Sequence, residues 1–117
     1  MRHLKLLLAA VLLLIAGQTM AGKLVKHSFA IANGNFLYDG KPIQIHSGEM
    51  HYARVPAPYW RHRLRMMKAM GLNAVATYVF WNHHEVAPGV WDWKSGNRNL
   101  RTFVKTAGEE GIMVILR

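Results

Sequence analysis

The sequence has 117 residues and a formal net charge of +9, from 15 Lys and Arg against six Asp and Glu. It contains no cysteine, which excludes a disulfide framework, thiolate catalysis and a cysteine-bound metal. The length suits one small domain and falls short of the roughly 250 residues of a complete enzyme barrel.

Residues 1–21 have the order of a secretory signal peptide. Arg2 and Lys5 precede an unbroken apolar run over residues 6–15, and Thr19-Met20-Ala21 then supplies the small residues that signal peptidase reads. The run is shorter than the about 20 residues of a membrane span, and an uncleaved anchor is the alternative. We expect an exported protein, periplasmic or extracellular, with a charge of +7 after cleavage and no stable membrane span.

Turn signals predict a β-hairpin after this leader. Asn33-Gly34 lies between two apolar runs, and a type I′ turn needs positive φ at both of its central residues. Asp39-Gly40 predicts a second turn. A first core strand is expected over residues 43–48, followed by a loop over residues 49–57.

Two helices and two more strands are predicted beyond that loop. Pro58 opens the first helix and Gly71 ends it, whereas Ser95-Gly96-Asn97 offers the N-cap of the second helix and Gly111 ends it. Their apolar faces are Trp60, Leu64, Met67 and Met70 in the first, and Leu100, Phe103, Val104 and Ala107 in the second.

The remaining strands are expected over residues 72–80 and 112–116. Alternation of apolar strands with helices predicts an α/β fold with a parallel sheet. The strand at 112–116 would leave an apolar edge unpaired, so we expect the sequence to be the front of a larger domain.

Polar residues follow the second core strand abruptly, in Asn82-His83-His84-Glu85. The carboxyl end of a parallel strand is where ligands bind. Glu49 and Glu85 follow neighbouring strands, and a carboxylate pair is what glycoside hydrolysis needs. Structural or surface roles for both are the alternative, because spacing alone is weak evidence.

Three other patterns have ordinary explanations. Histidines in the two loops could bind a metal with Glu85, but adjacent histidines diverge on a strand, so we expect no metal. The basic run over residues 61–65 could bind nucleic acid, but we expect a solvated helix face and no nucleic-acid partner. The histidines considered for a metal site are His46, His51, His83 and His84.

Four aromatic side chains could stack on sugars, and core packing is expected for most of them. They are Tyr78, Trp81, Trp91 and Trp93.

Several motifs in order resemble the glycoside hydrolase family 35 β-galactosidases. The matching segments are His51 to Pro56 with Trp60, Met67 to Val75, Thr77 to Glu85 with Pro88-Gly89, and Gly111 to Arg117. The resemblance implies that residues 22–117 are the N-terminal part of a catalytic barrel. They would form the first three strands and two helices of a TIM (β/α)8 barrel, preceded by a β-hairpin.

The resemblance also implies a retaining β-galactosidase that releases terminal β-linked galactose from oligo- or polysaccharides without a cofactor. Tyr78 matches a tyrosine that contacts galactose, and Arg54 is a further candidate near the site. Asn82 and Glu85 match the motif as candidates too, and both are expected to shape the loop. The family's catalytic glutamates lie on later strands, so no catalytic residue is expected in this chain. We therefore expect the chain to be inactive and poorly folded without the rest of the barrel. A small secreted basic module that binds carbohydrate or polyanion is the alternative.

We predict that the exported protein is cleaved after Ala21, because Thr19-Met20-Ala21 presents small side chains at the two positions that signal peptidase recognises. N-terminal sequencing of the exported protein should begin at Gly22. An intact Met1 on exported protein would contradict the prediction.

Overall fold

The computed structural model describes residues 26–117, so the predicted signal peptide lies outside the described residues. The described residues divide into two units, 26–41 and 42–117. Within residues 26–117, no helix has the length and apolarity needed to cross a membrane.

The first unit contains the predicted hairpin. Strands β1 (Phe29–Ala32) and β2 (Asn35–Tyr38) pair antiparallel, with Ala32 opposite Asn35. Asn33 and Gly34 both have positive φ, at 51° and 73°, as the turn requires. The hairpin is therefore confirmed. Strand β3 (Lys41–Ile43) follows the second predicted turn and begins at the last residue of this unit.

A parallel sheet organises the second unit, as predicted. Its strands are β4 (Ser47–Glu49), β5 (Ala74–Thr77) and β8 (Met113–Leu116), in the order β4-β5-β8. Helix α1 (Trp60–Ala69) connects the first two strands, and α3 (Leu100–Glu109) precedes the third. Between β5 and α3 lie a short helix, α2 (Trp81–His84), and a small hairpin of β6 (Glu85–Ala87) and β7 (Val90–Trp91).

Two predicted strands are shorter in the structure. The strand expected over residues 43–48 begins only at Ser47, because the Asn73 side chain bonds the backbone before it. The Asn73 carboxamide accepts from the His46 N–H at 2.8 Å and donates to the Gln44 carbonyl at 2.7 Å. The strand expected over residues 72–80 ends at Thr77.

The predicted N-cap of α3 and the predicted last apolar residue of α1 were wrong. Asn99 caps α3 by accepting from the Thr102 N–H, whereas the expected cap region Ser95-Gly96-Asn97 leads into a 3₁₀ turn. Met70 is exposed because it lies beyond the last residue of α1. The loop predicted at 49–57 contains a 3₁₀ turn, and a second such turn leads into α1.

Both long helices pack against the sheet through one apolar cluster. Helix α1 contributes two buried side chains and α3 another two, which meet side chains from β5 and from the loop after β4. Val104 and Leu100 remain outside the fully buried set. The buried cluster is Tyr52, Trp60, Leu64, Val75, Phe103, Ala107 and Ile112.

Ion pairs join α1 to the end of α3. The Arg61 guanidinium binds Glu109 and Glu110, and Arg65 Nε lies 2.9 Å from a Glu110 oxygen. Hydrogen bonds from Arg61 lower the pKa of Glu109, and those from Arg65 and then Arg61 lower the pKa of Glu110. Two of the five residues in the basic run therefore join the helices.

We predict that these lowered pKa values are visible in an NMR titration of the glutamate carboxyl carbons in a protein that contains the complete barrel. Both midpoints should lie below the ordinary value of about 4.3. A carboxyl group whose pKa is lower in the folded state than in the unfolded state stabilises the fold at pH values above the unfolded-state pKa. This stabilisation is lost as the pH falls through the folded-state pKa. Arg61→Met should raise both midpoints, whereas Arg65→Met should raise that of Glu110 alone. Unchanged midpoints in Arg61→Met would contradict the assignment.

Candidate functional site

The candidate site lies at the carboxyl ends of the three parallel strands. Glu49 ends β4, Tyr78 directly follows β5, and Arg117 directly follows β8. Register pairs Glu49 with Ala76 and Thr77 with Leu116, so the three chain segments leave the sheet at one edge. This is the edge at which α/β folds bind ligands.

Glu49 is bound through both carboxylate oxygens. One oxygen lies 3.0 Å from His51 Nε2, and the other accepts from the Arg117 guanidinium at 3.0 Å. The carboxylate therefore holds two neighbours at the strand ends.

Tyr78 is partly exposed beside these groups. The Arg117 guanidinium carbon lies 4.4 Å from the centre of the Tyr78 ring, within cation–π range. The ring is 40% exposed, and its hydroxyl has no hydrogen-bond partner among residues 26–117. Because the Tyr78 ring contacts Arg117 and its hydroxyl is exposed, that hydroxyl is available to hydrogen-bond a ligand that carries hydroxyl groups.

Arg54 and Asn82 line an open cavity of about 470 Å³ next to this cluster. Ala53, Phe80 and His83 complete its wall. Phe80 joins the cavity to Tyr78, because the two rings lie 5.8 Å apart and the Arg54 guanidinium carbon lies 5.7 Å from the Phe80 ring. The structure thus places Arg54 and Asn82 on one cavity, whereas Tyr78 lies beside its Phe80 wall and does not itself line it.

Glu85, the fourth residue expected at the site, belongs to a turn. Its carboxylate accepts from the Gly89 N–H at 2.8 Å, within the small β6–β7 hairpin. Gly89 has a φ of +72°, which glycine adopts without strain. Glu85 therefore shapes the loop after Pro88, and the residues that line the cavity do not include it.

Tyr52 and His84 form a buried polar contact that the sequence did not reveal. The Tyr52 hydroxyl bonds His84 Nε2, and both side chains are fully buried. His84 Nδ1 lies 2.9 Å from the Asp92 carbonyl, so it donates there and Nε2 accepts from tyrosine. Burial raises the pKa of Tyr52, which keeps its hydroxyl protonated as the donor.

The histidines that the structure describes form no metal site. Among residues 26–117, no three His, Asp or Glu side chains form a group that could hold a metal ion. His51 binds Glu49, and His84 binds Tyr52.

Core packing was the wrong expectation for the aromatic residues after β5. Tyr78, Trp81, Trp91 and Trp93 are all at least 40% exposed. Trp93 stacks on His84 with ring centres 3.8 Å apart and adjoins Trp91 in a nearly parallel arrangement.

Comparison with known proteins gives one consistent result. The family model described as Glycosyl hydrolases family 35 matches residues 35–117. The chain is 47% identical over 90 residues to a β-galactosidase of Xanthomonas manihotis, covering 77% of this chain and 15% of that protein. It is 49% identical over 86 residues to a β-galactosidase of Canis lupus familiaris, covering 74% and 13%. It is 48% identical over 83 residues to that of Homo sapiens, covering 71% and 12%. The chain thus spans about one-seventh of the length of these relatives.

We predict that, in a protein that contains the complete barrel, Tyr52→Phe lowers the free energy of unfolding by about 1–3 kcal/mol, because it leaves the buried His84 Nε2 without a donor. Denaturant unfolding measures the change. Tyr59→Phe is the matched control, since Tyr59 is 58% exposed, and it should leave the unfolding midpoint unchanged. Equal midpoints for the two variants would show that the buried bond contributes nothing.

Proposed function

Since the chain belongs to glycosyl hydrolases family 35, we propose that it forms part of a retaining β-galactosidase that releases terminal β-linked galactose from oligo- or polysaccharides. The curated relatives carry the name β-galactosidase, which supports the substrate class. We further propose that the protein is exported and meets its substrate in the periplasm or outside the cell.

The observed sheet supports a place in a larger barrel. Strands β4, β5 and β8 are parallel and adjacent, and α1 and α3 lie between them in sequence. This is the order of the first three strands and two helices of a (β/α)8 barrel. In this proposal the remaining strands of that barrel are the chain's structural partner.

The functional proposal rests on one observation, which is that Tyr78 exposes its hydroxyl at the C-terminal ends of the parallel strands. Its ring is held and its hydroxyl is free of partners among residues 26–117, so it can bond a galactose hydroxyl. Arg54 and Asn82 line the adjoining cavity, where they can bind further sugar hydroxyls. A sugar site needs such directed polar groups beside an aromatic surface.

Retaining hydrolysis needs two carboxyl groups about 5–5.5 Å apart, and it uses no cofactor or metal ion. The carboxylates of the described residues already have other partners. Glu49 binds His51 and Arg117, and Glu85 binds the Gly89 N–H. The other acids serve turns and helix pairs: Asp39, Asp92, Glu109 and Glu110. We therefore propose that both catalytic carboxyl groups come from other strands of the barrel and that these residues alone are inactive.

A grafted enzyme tests this proposal. In it, residues 35–117 of this chain replace the aligned segment of the Xanthomonas manihotis β-galactosidase. We predict that the grafted enzyme hydrolyses an aryl β-galactoside. Tyr78→Phe should lower its kcat/KM about tenfold, the equivalent of about 1.4 kcal/mol for one lost hydrogen bond.

Two controls accompany the measurement. Tyr59→Phe removes a hydroxyl from an exposed tyrosine outside the site and should leave kcat/KM unchanged. The 117-residue chain alone should show no turnover. An inactive grafted enzyme would count against the function, and an unchanged kcat/KM in Tyr78→Phe would remove Tyr78 from the site. Turnover by the chain alone, lost in Glu49→Gln or Glu85→Gln, would place catalysis within these residues.

A further inference from the structure

We infer that Glu49 is a positioning residue, which fixes the orientation of Tyr78 through Arg117 and His51. Glu49, His51 and Arg117 are here called the Tyr78 clamp. This inference rests on the proposed function, because it concerns how Tyr78 is presented to a sugar. It gives Glu49 a role other than that of a catalytic acid.

The first half of the clamp is Arg117. Its guanidinium lies over the Tyr78 ring at 4.4 Å and donates to Glu49 at 3.0 Å, so the carboxylate fixes the plane that contacts the ring. The Arg117 backbone also brackets Tyr78. Its N–H donates to the Thr77 carbonyl at 3.0 Å, and its carbonyl accepts from the Val79 N–H at 2.9 Å. The residues on both sides of Tyr78 are thereby joined to the residue that contacts its ring.

The second half is His51. Its Nδ1 accepts from the Tyr78 backbone N–H at 3.3 Å, which places the ring proton on Nε2. That Nε2–H then donates to the second oxygen of Glu49 at 3.0 Å. The imidazole lies 5.3 Å from the Tyr78 ring, and its orientation is fixed at both nitrogens.

Glu49 is the common member, since each half of the clamp ends on one of its oxygens. Its side chain is about half exposed, so the ion pair with Arg117 contributes little to stability by itself. The geometric effect is larger, because a tyrosine hydroxyl displaced by about 1 Å can cost up to about a hundredfold in rate. The clamp therefore acts on substrate binding and turnover more than on folding.

A double-mutant cycle in the grafted enzyme tests the clamp. Glu49→Gln and Arg117→Met are each made in the parent and in the Tyr78→Phe background. We predict that each lowers kcat/KM about tenfold in the parent, and less than about twofold once the Tyr78 hydroxyl is absent. This non-additivity is the signature of residues that act through one another. Glu49→Asp, which keeps both oxygens, should recover part of the loss.

Arg65→Met is the matched control. It breaks a pair with Glu110 at 2.9 Å, between α1 and the C-terminal end of α3. Its effect on kcat/KM should be small and equal in both backgrounds. Thermal unfolding of every variant separates a loss of fold from a loss of positioning.

The outcomes separate this inference from the proposed function. Additive losses for Glu49→Gln and Tyr78→Phe would overturn the clamp and leave Tyr78 in the site. Loss of one limb of the pH–rate profile in Glu49→Gln would make Glu49 an acid or base and also overturn it. An inactive grafted enzyme would count against the function alone. The clamp would then be judged from crystal structures of the grafted enzyme and its Glu49→Gln variant, where an unmoved Tyr78 ring overturns it and a rotated ring supports it.

Discussion

Parallel pairing of three short strands is the constraint on which the candidate site depends. The ladder continues past the strand ends, where the Met50 N–H donates to the Ala76 carbonyl at 3.0 Å and the Arg117 N–H to the Thr77 carbonyl at 3.0 Å. Glu49 and Arg117 are 68 residues apart in sequence, yet their side chains meet because this register brings both strands to one edge. A shift of one residue would turn each of these side chains to the other face of the sheet.

The loops above the sheet are held by buried polar groups as well as by apolar packing. The Trp60 indole N–H lies 2.8 Å from the Val55 carbonyl and 3.2 Å from that of Tyr52, which fixes the loop containing Arg54. The bond from Tyr52 to His84 ties this loop to α2, which carries Asn82. Buried polar bonds are directional, so they fix the two sides of the cavity more precisely than apolar contacts alone.

Sequence patterns predicted the parts of the fold that depend on local chemistry. The Asn33-Gly34 turn and the helix end at Gly71 were predictable because positive φ is confined to few residue types. The end of β4 was not, because it depends on the Asn73 carboxamide reaching the backbone of residues 44–46. Likewise, the motif around Tyr78 indicated the site, whereas the contacts of Glu49 follow only from a register that joins distant segments.

Position at the ligand-binding edge does not by itself make a carboxylate catalytic, and the neighbours of each acid decide what it does. At the opposite end of the sheet, Glu110 receives two arginines and serves to join α1 to α3. Glu49 also receives an arginine, but that guanidinium lies against an exposed tyrosine ring. An arginine–glutamate pair therefore joins two helices in one place and lies against an exposed tyrosine ring in the other. The difference lies in what the arginine contacts next, which depends on how distant segments pack and cannot be read from the sequence around either acid.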